Sequence, residues 1–231
     1  MSQTDPRVYE KCLEMWPYRY SVDRVFKHVA THARSGAHLL DIMCGPKVLL
    51  GRVSEKRPDL QLLGVDIDHS QLLYGDRKYP HIPSEVGNVL NWRSAEKFDV
   101  VLCTGALHHV PYDLQEQAIA NIARMVRPEG FVVISDCYAD PFTSEVQRKK
   151  VMAKLGYKYL EFVLEQEAPE EVVRETIQIM EDDVLGREYK VHLAMRIPLL
   201  HKYFATIQTD RTWPSNRGFG RYGDYVHICT A

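Results

Sequence analysis

The stretch His38-Leu39-Leu40-Asp41-Ile42-Met43-Cys44-Gly45-Pro46-Lys47-Val48-Leu49-Leu50 decides the fold of this chain. Its apolar run contains Asp41, turns through Gly45-Pro46, and continues into apolar residues at helical spacing. This order predicts a first β-strand, a tight turn and a first helix. In open α/β sheets, such a turn is the place where nucleotide-like ligands bind.

A second apolar run, 62–65, ends at Asp66, about twenty residues after the turn. Sheets that bind dinucleotides place a carboxylate at this distance, where it accepts hydrogen bonds from the ribose hydroxyls. Asp68 follows two residues later and is interpreted as the cap of the next helix. We therefore predict that Asp66 holds a ribose.

The composition is that of an ordinary globular protein. The chain has 231 residues, 26% charged residues and a formal net charge of −2, so one substantial domain is expected and a nucleic-acid partner is disfavoured. No apolar run reaches about eighteen residues and the N-terminus is polar, so neither a membrane span nor a signal peptide is predicted. The five cysteines are dispersed without a Cys-x-x-Cys pair, which favours reduced thiols in a cytoplasm.

Strand-like and helical segments alternate through the middle of the chain, which predicts a parallel, doubly wound α/β sheet. We expect one domain over 1–231, with a helical lid at 1–35 and a helical insert or cap at 142–204. The predicted strands are 37–42, 61–65, 84–89, 98–104, 131–136, 205–212 and 222–230.

The first turn and the acidic end of the second strand resemble motif I and the following strand of the class I S-adenosylmethionine (SAM) dependent methyltransferases. That family usually has Asp-x-Gly-x-Gly-x-Gly, whereas this chain has Met43 and Lys47 at the first and third glycines and retains Gly45. The resemblance covers roughly 37–140 and, more weakly, the last two strands. It implies a Rossmann-like sheet of mostly parallel strands whose last strand is antiparallel, and SAM as the cofactor.

The resemblance also implies roles for single residues. Asp41 and Gly45 would hold the amino-acid end of SAM, and Asp66 its ribose. Lys47 would either point to solvent or pair with the SAM carboxylate, with Met43 re-posing the aminobutyrate arm. The full predicted cofactor-binding set is Asp41, Gly45, Lys47, Asp66, Asn88, Val89, Thr104 and Gly105. Within it, Asn88 would accept a hydrogen bond from the adenine amine, and Val89 would pack against the adenine ring. Thr104 and Gly105 would line the site at the end of the fourth strand.

The segment after the fourth strand carries His108-His109, a pair that resembles the one found in small-molecule methyltransferases. His108 is predicted as a base that takes a proton from the acceptor, because imidazole titrates near neutrality. The alternative is that both histidines anchor the loop. No metal site is expected, because no third ligand is evident from the sequence. After the fifth strand, Tyr138 is predicted to face the reacting centre, and Asp136 could hold a polar acceptor.

The resemblance implies methyl transfer from SAM to a small molecule. Two alternatives stay open at this point. One is a SAM cyclase, in which a bent aminobutyrate arm closes on itself to azetidine-2-carboxylate and releases methylthioadenosine. The other is a SAM-binding module without turnover. The helical insert is expected to shape the acceptor pocket and to provide a homodimer contact.

Overall fold

The structure, a computed structural model, describes residues 5–215 and 220–230. Its centre is a sheet of seven strands in the order β3-β2-β1-β4-β5-β7-β6. The strands are β1 (His38–Ile42), β2 (Gln61–Asp66), β3 (Ser84–Val86), β4 (Phe98–Thr104), β5 (Val126–Tyr138), β6 (Thr206–Trp213) and β7 (Gly223–Thr230). The α-helices are α1 (Pro6–Met15), α2 (Arg19–His32), α3 (Val48–Lys56), α4 (His69–Lys78), α5 (Gln115–Met125), α6 (Glu145–Glu165), α7 (Glu170–Leu185) and α8 (Leu193–His201).

The strand directions confirm the predicted fold class. β1 pairs in parallel with β2 and β4, β2 with β3, and β4 with β5. β7 runs antiparallel to both of its neighbours, β5 and β6. The chain order reverses between β1 and β4, so the loops that follow these two strands separate and leave a crevice at the carboxyl edge of the sheet.

Apolar side chains cover both faces of the sheet. One core joins the sheet to α1, α2 and α3 and to the pair α6–α7, and the other joins it to α5 and α8. β4 is buried along almost its whole length, which explains why a continuous apolar run marked it in the sequence. Among the described residues, no helix is both long and apolar enough to span a bilayer.

The predicted cap at 142–204 needs a correction. Only α6 and α7, with the segment that follows them, lie over the carboxyl edge of β1 and β4. α8 packs instead against α5 and β6 on the opposite face, where Leu200 is fully buried. The apolar residues of α8 are therefore part of the sheet's own core rather than of the cap.

The start of β5 also differs from the prediction. The strand begins at Val126 rather than at position 131, because Val126 already pairs with Phe98. The helical lid predicted at 1–35 corresponds to α1 and α2, and its residues 1–4 lie outside the described part of the chain.

Candidate functional site

A cavity of about 600 Å³ lies at the carboxyl ends of β1, β2, β4 and β5. This volume is in the range of small-molecule binding sites. The loops that follow the strands form its floor, and α1, α6 and α7 cover it. Of the predicted cofactor and catalytic residues, the cavity wall includes Asp41, Gly45, Asp66, Thr104, Gly105 and His108.

The turn between β1 and α3 has the backbone conformation that glycine favours at three positions, although only Gly45 is a glycine. Met43, Gly45 and Lys47 have φ values of 64°, 53° and 60°, in the left-handed region that glycine adopts most easily. For a residue with a side chain, this conformation costs about 1–2 kcal/mol. Met43 and Lys47 therefore adopt, despite their side chains, the backbone conformation that glycine favours.

Lys47 is the clearest correction to the sequence analysis. Its Nζ donates to Asp76 Oδ1 at 2.6 Å and to the Ile82 carbonyl at 2.7 Å, and its side chain is fully buried. The side chain runs between Gly64 and Gly75, where an added Cβ would lie 3.3 Å from Lys47 Cδ and 2.9 Å from Lys47 Cε. Lys47 is thus neither on the surface nor in the cavity wall, and it binds the turn to α4 and to the segment before β3.

Asp66 lies in the cavity wall with its carboxylate fixed by the backbone. Its Oδ2 accepts from Gly45 N–H at 2.7 Å and its Oδ1 from Asp68 N–H at 2.8 Å. Burial raises the Asp66 pKa, and these two hydrogen bonds oppose that rise. Each oxygen retains a second lone pair for a ligand hydroxyl. Asp68 accepts from Ser70 N–H at 2.8 Å, which confirms its interpretation as a helix cap.

Asp41 is buried beside Asp66, and one of its oxygens lacks a partner. Oδ1 accepts no hydrogen bond from residues 5–215 or 220–230. Burial, together with the charge of Asp66, raises the pKa of Asp41 to about 8. Because an unsatisfied buried carboxyl group costs free energy, this position is suited to a ligand that brings a donor or a positive charge.

Asn88 and Val89 do not reach the cavity wall. Asn88 Oδ1 accepts from Leu90 N–H at 2.9 Å, so this side chain closes its own turn. Val89 is buried in the core on the face of the sheet that α5 covers. Their predicted contacts with adenine are not part of this cavity, because the turn after β3 directs both side chains elsewhere.

His108 faces the cavity and is held by a buried carboxylate. Its Nδ1 lies 2.5 Å from Asp136 Oδ1, which also accepts from Cys137 N–H at 2.9 Å. Burial lowers the His108 pKa, and the neighbouring Asp136 carboxylate only partly offsets this effect. The Asp136 contact fixes the ring and leaves Nε2 as the nitrogen available to a ligand.

Two further polar residues meet His108 at this end of the cavity. His109 Nδ1 lies 2.7 Å from Glu188 Oε2, and one ligand atom from each of His108, His109 and Glu188 lies within 4.8 Å of the others. Glu188 follows α7, so this contact joins the loop after β4 to a segment distant in the chain. Beside it, Lys190 Nζ donates to Asp183 Oδ1 at 2.7 Å in a buried pair.

Tyr138 does not face the cavity, which contradicts its predicted catalytic role. Its side chain is fully buried, and its hydroxyl lies 2.9 Å from His227 Nε2 on β7. Adjacent residues of a strand point to opposite faces, and the neighbour Cys137 is the one that reaches the cavity. Tyr138 is therefore a core residue.

Aromatic side chains close the cavity from above. Tyr9, Trp16 and Tyr18 come from the N-terminal helices, and Tyr159 comes from α6. Trp16 Nε1 donates to Thr176 Oγ1 of α7 at 2.8 Å, so the N-terminal segment and the insert are joined directly above the site. Such rings exclude water and offer π faces to a cation.

Comparison with known proteins agrees with this geometry. Residues 39–130 match a family model described as a methyltransferase domain. A dTDP-4-amino-2,3,4,6-tetradeoxy-D-glucose N,N-dimethyltransferase of Saccharopolyspora spinosa is 26% identical over 148 residues, which are 59% of this chain and 58% of that protein. An uncharacterized protein of Rickettsia prowazekii (strain Madrid E) is 30% identical over 105 residues, which are 43% of this chain and 42% of that protein. The matches thus span about half the length of these curated relatives.

Solved structures share the whole architecture. The N-methyltransferase NodS of Bradyrhizobium japonicum WM9, in complex with S-adenosyl-l-homocysteine, aligns with a TM-score of 0.62 at 13% identity, covering 99% of this chain and 92% of that one. Magnesium protoporphyrin IX methyltransferase of Synechocystis PCC 6803, with bound SAM, aligns with a TM-score of 0.60 at 16% identity, covering 93% and 80%. At these identities the likeness establishes the fold.

Proposed function

We propose that this chain, whose residues 39–130 match a methyltransferase-domain family model, binds SAM in the cavity and transfers its methyl group to a small molecule. The observation that carries this proposal is the buried Asp41 carboxyl group, whose Oδ1 lacks a partner among the described residues. It lies near the end of β1 beside the left-handed turn, where the ammonium group of SAM would supply the missing donor.

The neighbouring residues fit the rest of the cofactor. Asp66 is ordered by two backbone hydrogen bonds before any ligand binds, so its remaining lone pairs are positioned for two ribose hydroxyls. Gly45 has no side chain between its backbone and the cavity, and an added Cβ would only just touch Tyr9, with 4.0 Å to its Cε1. Bound SAM supplies an activated methyl group, because its sulfonium is already a good leaving group.

The protein's own contribution to the reaction is positioning and exclusion of water. The rings of Tyr9, Trp16 and Tyr18 cover the floor of the cavity, and the Trp16–Thr176 hydrogen bond holds this cover to α7. Because the leaving group of SAM needs no protonation, much of the rate enhancement comes from orienting SAM and the acceptor in a site that is closed to water. The acceptor would enter beside His108, at the end of the cavity that α7 and Glu188 line.

The same site gives no separate support to the cyclase alternative. That interpretation depended on Lys47 and Met43 bending the aminobutyrate arm, and Lys47 is bound to Asp76 and Ile82 outside the cavity.

The direct test of methyl transfer is mass spectrometry of protein incubated with SAM, alone and with a panel of amine and hydroxyl acceptors. S-adenosylhomocysteine that forms only with an acceptor supports methyl transfer. Methylthioadenosine formed from SAM alone would overturn it.

Cofactor binding is expected to release a proton below pH 8. In the free protein the Asp41 pKa is raised to about 8, so the carboxyl group is mostly protonated at pH 6–7. A cationic ligand favours the ionised form, so SAM affinity should rise by up to about tenfold per pH unit in this range. Calorimetry in buffers of different ionisation enthalpy measures the released proton. The Asp41→Asn variant should release none, and a wild-type protein that releases none would contradict the assignment.

The acceptor in this proposal is a small molecule rather than a nucleic acid. The proposed location is the cytoplasm, because the dispersed cysteines favour reduced thiols.

We also propose a homodimer through the helical insert, which is supported by apolar side chains exposed on α6 and α7. These are Val146, Tyr157, Leu164, Ile177 and Leu185.

A further inference from the structure

We propose that His108, His109 and Glu188 bind a divalent transition-metal ion at the acceptor end of the cavity. One ligand atom from each residue lies within 4.8 Å of the other two, and all three residues line the cavity. His109 Nδ1 and Glu188 Oε2 are already only 2.7 Å apart. Metal–ligand bonds of about 2.0–2.2 Å place ligand atoms roughly 3 Å apart, so the cluster needs side-chain adjustment rather than a change of fold.

Asp136 gives His108 the arrangement that a metal-binding histidine usually has. Its Oδ1 lies 2.5 Å from His108 Nδ1, and both residues are buried. A histidine that donates one ring N–H to a carboxylate presents the other nitrogen, here Nε2, as a metal ligand of fixed orientation. The contact of Asp136 with Cys137 N–H holds the carboxylate itself in place.

The charges around the cluster also favour a cation. Lys190 lies nearby, but it is paired with Asp183 at 2.7 Å and both side chains are buried, so these two charges cancel. Glu188 lies against His109, and Asp136 contributes a second negative charge that the buried Arg196 partly offsets. A divalent ion would therefore meet an acidic rather than a basic environment.

The donor set indicates the class of metal. Two imidazoles and one carboxylate suit zinc, iron(II), cobalt(II) or nickel(II) better than magnesium or calcium, which prefer oxygen ligands. Three protein ligands leave positions open towards the cavity. If the proposed function holds, which this step assumes, an acceptor hydroxyl would bind there through its oxygen and lose its proton to water more readily. Metal ligation would then replace the general-base role predicted for His108.

The test is direct metal binding in the absence of SAM and acceptor. Untagged, chelator-treated protein is titrated with Co²⁺, followed by visible absorption, and the bound ion is then displaced with Zn²⁺. We expect the protein to bind close to one equivalent of Co²⁺, and we expect the bound ion to show the visible absorption of cobalt coordinated by imidazole. Glu188→Gln and His109→Ala should each weaken binding at least about tenfold, and Asp136→Asn by about ten- to hundredfold.

A matched control is His81→Ala, because His81 is an exposed histidine outside the cavity whose Nε2 contacts Ser54. This variant should bind Co²⁺ like the wild type. Affinity that is unchanged by Glu188→Gln, or a wild-type protein without the Co²⁺ spectrum, would overturn the metal site. Because SAM binding is measured separately by calorimetry, failure of the metal site and failure of the proposed cofactor site give different results.

Discussion

The Asp66→Ala variant is expected to bind SAM at least about a hundredfold more weakly than the wild type. Hydrogen bonds to a charged group contribute about 1.5–3 kcal/mol each, and the loss of two such bonds to the ribose removes roughly 3 kcal/mol or more of binding free energy. In the wild type, the Asp66 carboxylate accepts hydrogen bonds from Gly45 N–H and Asp68 N–H, and these bonds order the turn and the start of the next helix. The substitution removes both bonds as well. Isothermal titration with SAM measures the change.

The matched control for this prediction is Asp68→Asn. Asparagine still caps α4, while the variant loses one negative charge from the same part of the cavity wall. Its SAM affinity should stay within about threefold of the wild type, since the Asp68 carboxylate is partly exposed and is already engaged as the cap of α4. Equal losses in the two variants would mean that general electrostatics, and not ribose recognition by Asp66, governs binding. An Asp66→Ala protein with wild-type affinity would remove Asp66 from the site.

The Lys47→Gly variant is expected to lower the free energy of unfolding by about 2 kcal/mol or more. It removes a buried ammonium group that binds Asp76 and the Ile82 carbonyl, and it leaves that carbonyl without its partner. Glycine returns little of this loss, because the relief of the left-handed backbone at this position is nearly offset by the greater entropy of the unfolded glycine chain. Urea unfolding measures the net effect.

Met43→Gly is the control that separates backbone strain from the ion pair. Met43 shares the positive φ of Lys47, and its uncharged side chain packs, partly buried, against the core. Relief of strain and the greater entropy of the unfolded glycine chain nearly cancel, and the partly buried side chain loses only part of its apolar contacts, so the stability should fall by only about 1 kcal/mol. If Lys47→Gly were as stable as Met43→Gly, the buried ion pair would contribute nothing to the fold.

The sequence was sufficient for the fold and for the residues that follow its strands directly. The predicted bounds of β4 match the observed ones, because a strand buried on both faces needs a continuous apolar run. Asp41, Gly45 and Asp66 reach the cavity because the carboxyl ends of neighbouring parallel strands meet at one edge. These placements depend on periodicity and chain order, both of which the sequence contains.

The errors concern side chains whose direction depends on distant neighbours. The space that Lys47 fills exists because Gly64 and Gly75, on two other elements, have no side chains. Tyr138 was placed on the wrong face because the sequence does not determine which residue of a buried strand faces the ligand. Glu188 was missed because it lies 79 positions after His109, in a segment without periodic pattern. Each of these contacts is a property of the tertiary structure.

A crystal structure of the protein with bound S-adenosylhomocysteine tests the account most directly. The expected result is a ligand in the cavity, with its ribose hydroxyls on the Asp66 carboxylate, its amino group on Asp41, and Lys47 still bound to Asp76. A ligand that bound elsewhere, or that turned its amino-acid end away from Asp41 and its ribose away from Asp66, would contradict the proposed cofactor site.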